Sequence, residues 1–266
     1  MTPEQVKAAA VALDTAERKR KQIRMLTIEH PTMTMDDAYA VQSAWVAHKL
    51  QTGRKSVGWK IGLTSKAMQQ ALNIDIPDSG VLLDDMQFEE GATIPEGRFI
   101  QPRIEAEIAF IMAQDLRGPG ATPADVVAAT AAVAPVLEIL DTRILRVDPE
   151  TKKTRTVLDT ISDNAANAGF VLGQQQHKPN AFDLRWMGAI VSRNGEVEET
   201  GLGAGVLNDP ALSMAWLANR LAKYGQHISA GDIVLSGSFI RPVEAVSGSL
   251  IEADFGAFGR VSCHFA

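Results

Sequence analysis

The sequence is poor in the residues that build several common kinds of site. Cys263 is the single cysteine among 266 residues, which excludes an intramolecular disulfide and a cysteine-based zinc site. The five histidines are scattered without metal-ligand spacing. A Gly-x-Ser-x-Gly motif is absent, which argues against a serine hydrolase. Carboxylates, lysines and polar turns are left as the candidates for chemistry.

Long apolar runs and an excess of positive charge are also missing. No run approaches the roughly 18 apolar residues of a membrane span, and the N-terminal segment has no signal-peptide core. The formal net charge of −6 argues against nonspecific nucleic-acid binding, which needs a basic surface. We therefore expect a cytoplasmic globular protein that binds neither membranes nor nucleic acids.

The pattern of elements predicts an α+β protein with a β-rich mixed core. Two N-terminal helices are expected, one from residue 3 to about 25 and one from a Thr34–Asp37 capping box to just before Gly53. An alanine-rich helix after Thr122 is expected to end at Pro135, and Asn194-Gly195 predicts a hairpin turn. A further helix is expected with its cap at Asn208 or Asp209 and Pro210 at its start. We expect a small helical region over residues 1–55 and a β-rich catalytic domain over residues 56–266.

The most informative stretch runs from Phe99 to Ala113. Read as a strand, it places Glu105 and Glu107 together on one face, because side chains alternate with a period of two. Neighbouring carboxylates repel each other, and an unpaired buried carboxylate is costly or becomes protonated. The two glutamates therefore either face solvent on an edge strand or bind a cation.

A third carboxylate, Glu138, lies within the apolar run from Val136 to Leu140. Three carboxylates in apolar strands, with no thiol or imidazole motif nearby, suit a hard divalent cation such as Mg²⁺ or Mn²⁺. We predict a metal site formed by Glu105, Glu107 and Glu138.

Two further charged residues lie near apolar segments. Lys60 is inside a predicted strand, where its ammonium must either reach solvent or meet an anion, and the second case makes it an acid–base candidate. Asp78 lies in a turn-rich segment, and its default interpretation is a turn or cap residue. The polar stretch from Asp141 to Asp159 is interpreted as an irregular excursion or lid.

Four segments in combination resemble the hydratase/decarboxylase branch of the fumarylacetoacetate hydrolase superfamily: WKIGLTSKAMQ, PRIEAEIAF, VLEILDTR and TISDNAANAGFVLG. The resemblance covers nearly the whole chain. It implies that family's β-rich fold, a Mg²⁺ or Mn²⁺ site at the three glutamates, and a large homo-oligomer. It also implies that Lys60 and Asp78 act as acid–base or positioning groups, and that Ser162 and Asp163 contact substrate.

The activity implied by the resemblance is metal-dependent addition of water to a 2-oxo-4-enoate diacid in aromatic meta-cleavage catabolism. The far carboxylate of such a substrate needs a partner, and Arg143, Arg146 and Arg155 are candidates. Hydration of 2-hydroxypenta-2,4-dienoate and decarboxylation of 4-oxalocrotonate are the alternatives within enzymes. A non-catalytic partner subunit with a structural metal site is the alternative outside them.

Overall fold

The structure is a computed structural model and describes residues 1–71, 74 and 76–266. Within these residues the helices are α1 Pro3–Lys19, α2 Leu26–Glu29, α3 Met35–Gln51, α4 Lys66–Ala71, α5 Pro123–Ala129, α6 Val157–Ser162 and α7 Pro210–Ala222. The strands are β1 Ser56–Gly62, β2 Asp78–Leu83, β3 Gln87–Phe88, β4 Thr93–Ile94, β5 Arg103–Met112, β6 Thr130–Leu140, β7 Asn167–Leu172, β8 Gly188–Arg193, β9 Glu196–Leu202, β10 Ile233–Leu235, β11 Val243–Glu244, β12 Leu250–Asp254 and β13 Arg260–Phe265.

The described strands form two sheets. The larger one has the order β2-β1-β10-β5-β6-β7-β3, and β11 also pairs with β5. The smaller one has the order β4-β13-β12-β8-β9. Pairing is mostly antiparallel, whereas β10, β7 and β13 each have one parallel neighbour. The architecture is therefore the β-rich α+β core that was predicted.

The larger sheet is covered on both faces, and the side chains of β5 belong to a different core on each face. Ile104, Ile108 and Phe110 point into a core that includes the smaller sheet and α7. Ala109 on the opposite face belongs to a second core, built with α1, α3, β2 and β7. Glu105 and Glu107 share the face of Ala109. The predicted carboxylate face therefore looks toward the layer that contains the N-terminal helices.

The N-terminal helices pack tightly against this face. Leu13 on α1 and Trp45 on α3 are each 1% exposed, and each such side chain contributes about 1.5–3 kcal/mol through burial. The predicted capping box at Thr34 and Asp37 is present, and α3 ends before Gly53. Because the second core joins α1 and α3 to strands beyond residue 55, packing is continuous there, and the domain boundary stays a prediction.

The first helix is shorter than predicted, since α1 ends at Lys19. Arg20 has a left-handed backbone with φ 53°, and the chain then turns toward Ile144. The Ile23 amide donates a 2.9 Å hydrogen bond to the Arg143 carbonyl, and the Leu145 amide donates one to the Ile23 carbonyl. These partners satisfy the backbone outside a helix, so the prediction that the first helix continues to about residue 25 is wrong.

The expectation that the alanine-rich helix runs to Pro135 is wrong. Helix α5 has the predicted cap at Thr122 but ends at Ala129, and Pro135 lies inside β6 opposite Ile108. The Pro135 carbonyl accepts a hydrogen bond from the Gly173 amide at 2.8 Å. Pairing of β6 with neighbours on both sides outweighs the helix propensity of alanine and the ladder bond that proline cannot donate.

The remaining local predictions agree with the structure. The hairpin of β8 and β9 turns at Asn194 and Gly195, both with positive φ, as a type I′ turn requires. Asp209 caps α7, and Pro210 is its first residue. None of the helices in the described part of the chain has the length and apolar character needed to cross a membrane.

Candidate metal and active site

The three predicted glutamates come together in the larger sheet. Glu105 on β5 lies directly opposite Glu138 on β6, and Glu107 follows on the same face of β5. One carboxylate oxygen from each residue lies within 4.8 Å of the other two. Since β5 is a central strand, the alternative that Glu105 and Glu107 face solvent on an edge strand is wrong.

Two of these carboxylates are completely buried and only partly satisfied. Glu107 Oε2 accepts a hydrogen bond from the Gly237 amide at 2.7 Å, and Glu138 Oε1 accepts one from Asn167 Nδ2 at 2.7 Å. Their other oxygens, Glu107 Oε1 and Glu138 Oε2, have no hydrogen-bond partner among the described residues. Buried oxygens without a partner are costly, whereas a divalent cation would satisfy them. The donor set therefore fits a Mg²⁺ or Mn²⁺ ion.

Lys60 meets an anion rather than reaching solvent. Its side chain is 3% exposed, its Nζ lies 3.3 Å from Glu138 Oε1, and it donates a hydrogen bond to the Ala165 carbonyl at 3.2 Å. The snorkelling alternative for this lysine is therefore wrong. A buried ammonium beside a carboxylate pair offsets part of the repulsion within the cluster.

Asp78 completes the charged group. It is the first residue of β2, pairs with Gly62 on β1, and is buried, with no hydrogen-bond partner for Oδ1 among the described residues. The default interpretation of Asp78 as a turn or cap residue is therefore wrong, because it is a buried residue of a strand. Gly62 is required beside it, because a Cβ there would collide with Asp78 Oδ1 and would lie 2.9 Å from Lys60 Nζ.

Burial changes the protonation of this group in the absence of a bound cation. Burial, followed by the charge of Glu138, raises the pKa of Glu105 to about 8 and raises that of Glu107 well above its ordinary value. Burial also raises the pKa of Asp78 to about 6, although Lys60 opposes the shift. For Lys60, burial lowers the pKa, but the carboxylates led by Glu138 outweigh it and the net pKa is raised. Lys60 therefore remains an ammonium at neutral pH.

A cavity of about 290 Å³ gives access to the cluster. Lys60, Asp78 and Glu105 line it together with short polar side chains that include Thr64 and Ser238. Three arginines also line it: Arg103, Arg146 and Arg155. The cavity thus contains a candidate metal site, two candidate proton carriers and a cationic region.

Known proteins resemble the chain over its whole length. It is 54% identical to 2-oxo-hept-4-ene-1,7-dioate hydratase of Escherichia coli over 256 residues, which are 96% of each protein. Among solved structures, 4-oxalocrotonate decarboxylase from Pseudomonas putida G7, complexed with magnesium and adipate, has a TM-score of 0.94 and 36% identity, with 100% of this chain and 99% of that chain covered.

This protein belongs to the family that includes 2-oxo-hept-4-ene-1,7-dioate hydratase, 2-keto-4-pentenoate hydratase and 4-oxalocrotonate decarboxylase. A fumarylpyruvate hydrolase from Pseudomonas aeruginosa, with a TM-score of 0.60 and 10% identity over 78% of this chain and 88% of that chain, shares the fold alone. No protein-family model matches the chain. The fold that the chain shares with the decarboxylase and with this hydrolase confirms the fold class predicted from the sequence.

In this family member, Ser162 and Asp163 do not line the cavity. Ser162 Oγ donates a 2.8 Å hydrogen bond to the Leu158 carbonyl at the end of α6. Asp163 is buried and forms an ion pair with Arg143, and burial raises the pKa of its carboxyl against the opposing charge of that arginine. These contacts hold the polar turn before β7 in place. The assignment of Ser162 and Asp163 to substrate binding stays a prediction.

Sequence reasoning missed residues that complete this hydratase/decarboxylase site from distant parts of the chain. The Gly237 amide that holds Glu107 comes from 130 residues away, and no local signal marks it. Tyr39 on α3 lies near Asp78, and burial and the Asp78 charge raise the pKa of its hydroxyl to about 12. The Arg220 guanidinium carbon from α7 lies 3.7 Å from the centre of the Tyr39 ring. The N-terminal helical layer therefore contributes to the surroundings of Asp78.

Proposed function

We propose that this protein is a hydratase that adds water to 2-oxo-hept-4-ene-1,7-dioate and yields 4-hydroxy-2-oxoheptane-1,7-dioate. The observation that carries this proposal is the buried glutamate cluster beside a cavity that also contains Lys60 and Asp78. The named activity of the relative at 54% identity supports the choice of substrate.

Glu105, Glu107 and Glu138 would hold a divalent cation, Mg²⁺ or Mn²⁺. When bound there, the cation supplies electrophilic polarisation of the 2-oxo group of the substrate. The magnesium in the solved structure of the related decarboxylase supports Mg²⁺ as the metal. The two buried carboxylate oxygens without partners support direct coordination by Glu107 and Glu138.

The chain's own groups move the protons of the reaction. Hydration requires loss of a proton from C3, gain of one at C5 to give the conjugated enone, and then addition of water with its oxygen at C4 and a proton at C3. Asp78, with a pKa raised to about 6 by burial, accepts and releases a proton near neutral pH and is the candidate base. Lys60 stays protonated and acts as a donor that orients the substrate's oxygen atoms.

Decarboxylation of 4-oxalocrotonate is the second candidate function, because the solved structure with a TM-score of 0.94 is a 4-oxalocrotonate decarboxylase. The same cluster, lysine and aspartate suit both reactions, since both begin by withdrawing electrons toward the 2-oxo group. Product chemistry separates them. A homo-oligomeric assembly and a cytoplasmic location are further parts of this proposal.

The test is turnover of the purified protein with 2-oxo-hept-4-ene-1,7-dioate and with 4-oxalocrotonate, each with Mg²⁺ and with EDTA. A metal-dependent gain of one water, measured by mass spectrometry, supports the hydratase, whereas release of CO₂ supports the decarboxylase. Metal-dependent stability without turnover of either compound would favour the non-catalytic partner subunit.

The glutamates are tested by conservative substitution. Glu105→Gln removes one ligand charge at the cavity wall, and we expect it to lower Mg²⁺ affinity and turnover together, each by at least about 10-fold. Titration calorimetry measures the affinity, and Glu199→Gln, on the exposed strand β9 of the smaller sheet, is the control. Full metal-dependent turnover of Glu105→Gln would contradict the metal assignment.

A further inference from the structure

One end of the cavity is lined by arginines and is positively charged, whereas the glutamate cluster is negatively charged. Arg103 precedes Glu105 by two residues on the same face of β5, so the two Cα atoms are about 7 Å apart along the strand. Arg103 pairs with Leu140, the last residue of β6. The arginine end therefore lies where β5 begins and β6 ends, beyond the paired Glu105 and Glu138.

Two of the arginines at this end already have an acidic partner. Arg103 Nε lies 2.6 Å from Glu244 Oε1, and Arg146 Nη1 lies 3.4 Å from the same oxygen. Arg146 also donates a hydrogen bond to the Gln101 carbonyl at 3.1 Å. One carboxylate is thus shared by two guanidinium groups, which leaves this end of the cavity with an excess of positive charge.

Arg155 differs from these two arginines. Its side chain is half-buried, its Nη1 donates a hydrogen bond to Thr142 Oγ1 at 2.5 Å, and it forms no ion pair with any acid among the described residues. The nearby acids are engaged elsewhere: Asp163 pairs with Arg143, and Asp141 accepts the amides of Ile100 and Gln101.

The surroundings of Arg155 are unfavourable for an unpaired cation. Burial foremost, and then the neighbouring arginines, lowers the pKa of its guanidinium, although Asp163 opposes this effect. A carboxylate that accepts two hydrogen bonds from one guanidinium removes such a cost and adds a strong, directional contact. Arg143 does not compete for this role, because it is 2% exposed and bound to Asp163 and the Asn167 carbonyl.

We infer that Arg155 binds the distal carboxylate of the substrate and makes the cavity selective for dicarboxylic over monocarboxylic 2-oxo-4-enoates. The inference rests on the proposed function and names the residue of the same site that recognises the distal carboxylate. In an extended peptide, three backbone bonds advance about 3.4 Å. By the same measure, the six carbon–carbon bonds between C1 and C7 of an extended seven-carbon diacid span about 7 Å. The Cα atoms of Arg103, at the arginine end of the cavity, and of Glu105 are separated by about the same distance along β5, roughly 7 Å.

The decisive measurement compares two substrates in two variants. Arg155→Met keeps an unbranched side chain as far as the position of Nε and removes the charged guanidinium group. Arg117→Met removes an exposed arginine that pairs with Asp115 outside the cavity. With Mg²⁺, we expect Arg155→Met to lower kcat/KM for 2-oxo-hept-4-ene-1,7-dioate by about 10- to 100-fold, mainly through KM. The value for 2-oxopent-4-enoate, which has no distal carboxylate, should change less than about two-fold, and Arg117→Met should change neither.

Binding of unreactive analogues gives a second readout. The parent protein should bind 2-oxoheptanedioate more tightly than 2-oxopentanoate by calorimetry, and Arg155→Met should lose this preference, whereas Arg155→Lys should keep part of it. Equal losses for both substrates, or no loss, would overturn the inference and leave Arg155 as a support for Thr142. If the parent hydrates neither substrate, the proposed function fails, and the binding preference still decides the role of Arg155.

Discussion

Lys60 is a buried cation next to the carboxylate cluster, and its removal has a measurable energetic signature. Its Nζ lies 3.3 Å from Glu138 Oε1. At this separation an effective dielectric constant of about 20 gives a Coulomb attraction of about 5 kcal/mol, before any cost of desolvation. Lys60→Met removes the attraction and leaves Glu138 buried opposite Glu105. The free energy of unfolding of the metal-free protein should therefore fall by about 3–5 kcal/mol.

A double-mutant cycle isolates this interaction. Glu138→Gln added to Lys60→Met removes the buried charge that the ammonium balanced, so the double variant should lose less stability than the sum of the two single variants. We expect a coupling energy of about 3 kcal/mol. Urea unfolding in EDTA at neutral pH, followed by circular dichroism, measures it. The exposed pair Arg260 and Asp254, 2.7 Å apart, is the control and should show a coupling energy below about 1 kcal/mol.

The result that would refute this reasoning is additivity. If Lys60→Met and Glu138→Gln add within about 0.5 kcal/mol, the two side chains do not act as a charge pair. A titration with Mg²⁺ gives an independent check. Lys60→Met should still bind the cation, because its ligands are intact, while turnover is lost; loss of Mg²⁺ binding would show that Lys60 also supports the metal site.

Two further perturbations test proton binding and packing. Burial raises the pKa of Asp78 to about 6 in the metal-free fold, whereas its pKa in the unfolded chain is about 4. The folded protein therefore binds this proton more tightly than the unfolded chain does. The resulting stabilisation is fully present below pH about 4 and is lost as the pH rises through 6. Asp78→Asn should reduce the fall in the free energy of unfolding between pH 4 and 6, a fall that is at most about 1.4 kcal/mol per pH unit for one group. Urea unfolding at a series of pH values measures it. An unchanged dependence of the free energy of unfolding on pH would contradict the raised pKa of Asp78. Gly62→Ala places a Cβ against Asp78 Oδ1 and 2.9 Å from Lys60 Nζ, so kcat should fall by at least about 10-fold. Gly205→Ala, where a Cβ would meet nothing within 4 Å, is the control, and equal activity of the two variants would disprove the close packing at Gly62.

Local signals were reliable where neighbouring residues supply the structure. The caps at Thr34, Thr122 and Asp209 involve contacts across two or three residues, and the Asn194-Gly195 turn requires positive φ at both residues. The alternation of β5 was also readable, because one face of the strand had to be apolar to reach the main core. These features depend on short-range sterics and on periodicity, which are present in the sequence.

The errors arose where distant segments decided the outcome. The backbone after Arg20 is satisfied by pairing with the segment around Ile144, and β6 begins at Thr130 because its partner β5 extends that far. For Lys60, the local sequence alone favours a side chain that reaches solvent over one that meets an anion. In the structure, Glu138 lies opposite Glu105, and β1 pairs with β10 in the same sheet, so that the Lys60 ammonium lies beside Glu138.

The sequence by itself determined the chemical inventory of the site: three carboxylates and a lysine in apolar strands, without competing thiols or clustered imidazoles. It also determined the family, through segments spread over the whole chain. Only the tertiary structure decided which charges meet. It placed Glu105 opposite Glu138, brought the Gly237 amide to Glu107, and separated Arg143 from the cavity that Arg155 lines. The physical reason is that side-chain alternation assigns a residue to a face of its own strand, whereas electrostatic energy depends on distances between strands, which the pairing of distant segments sets.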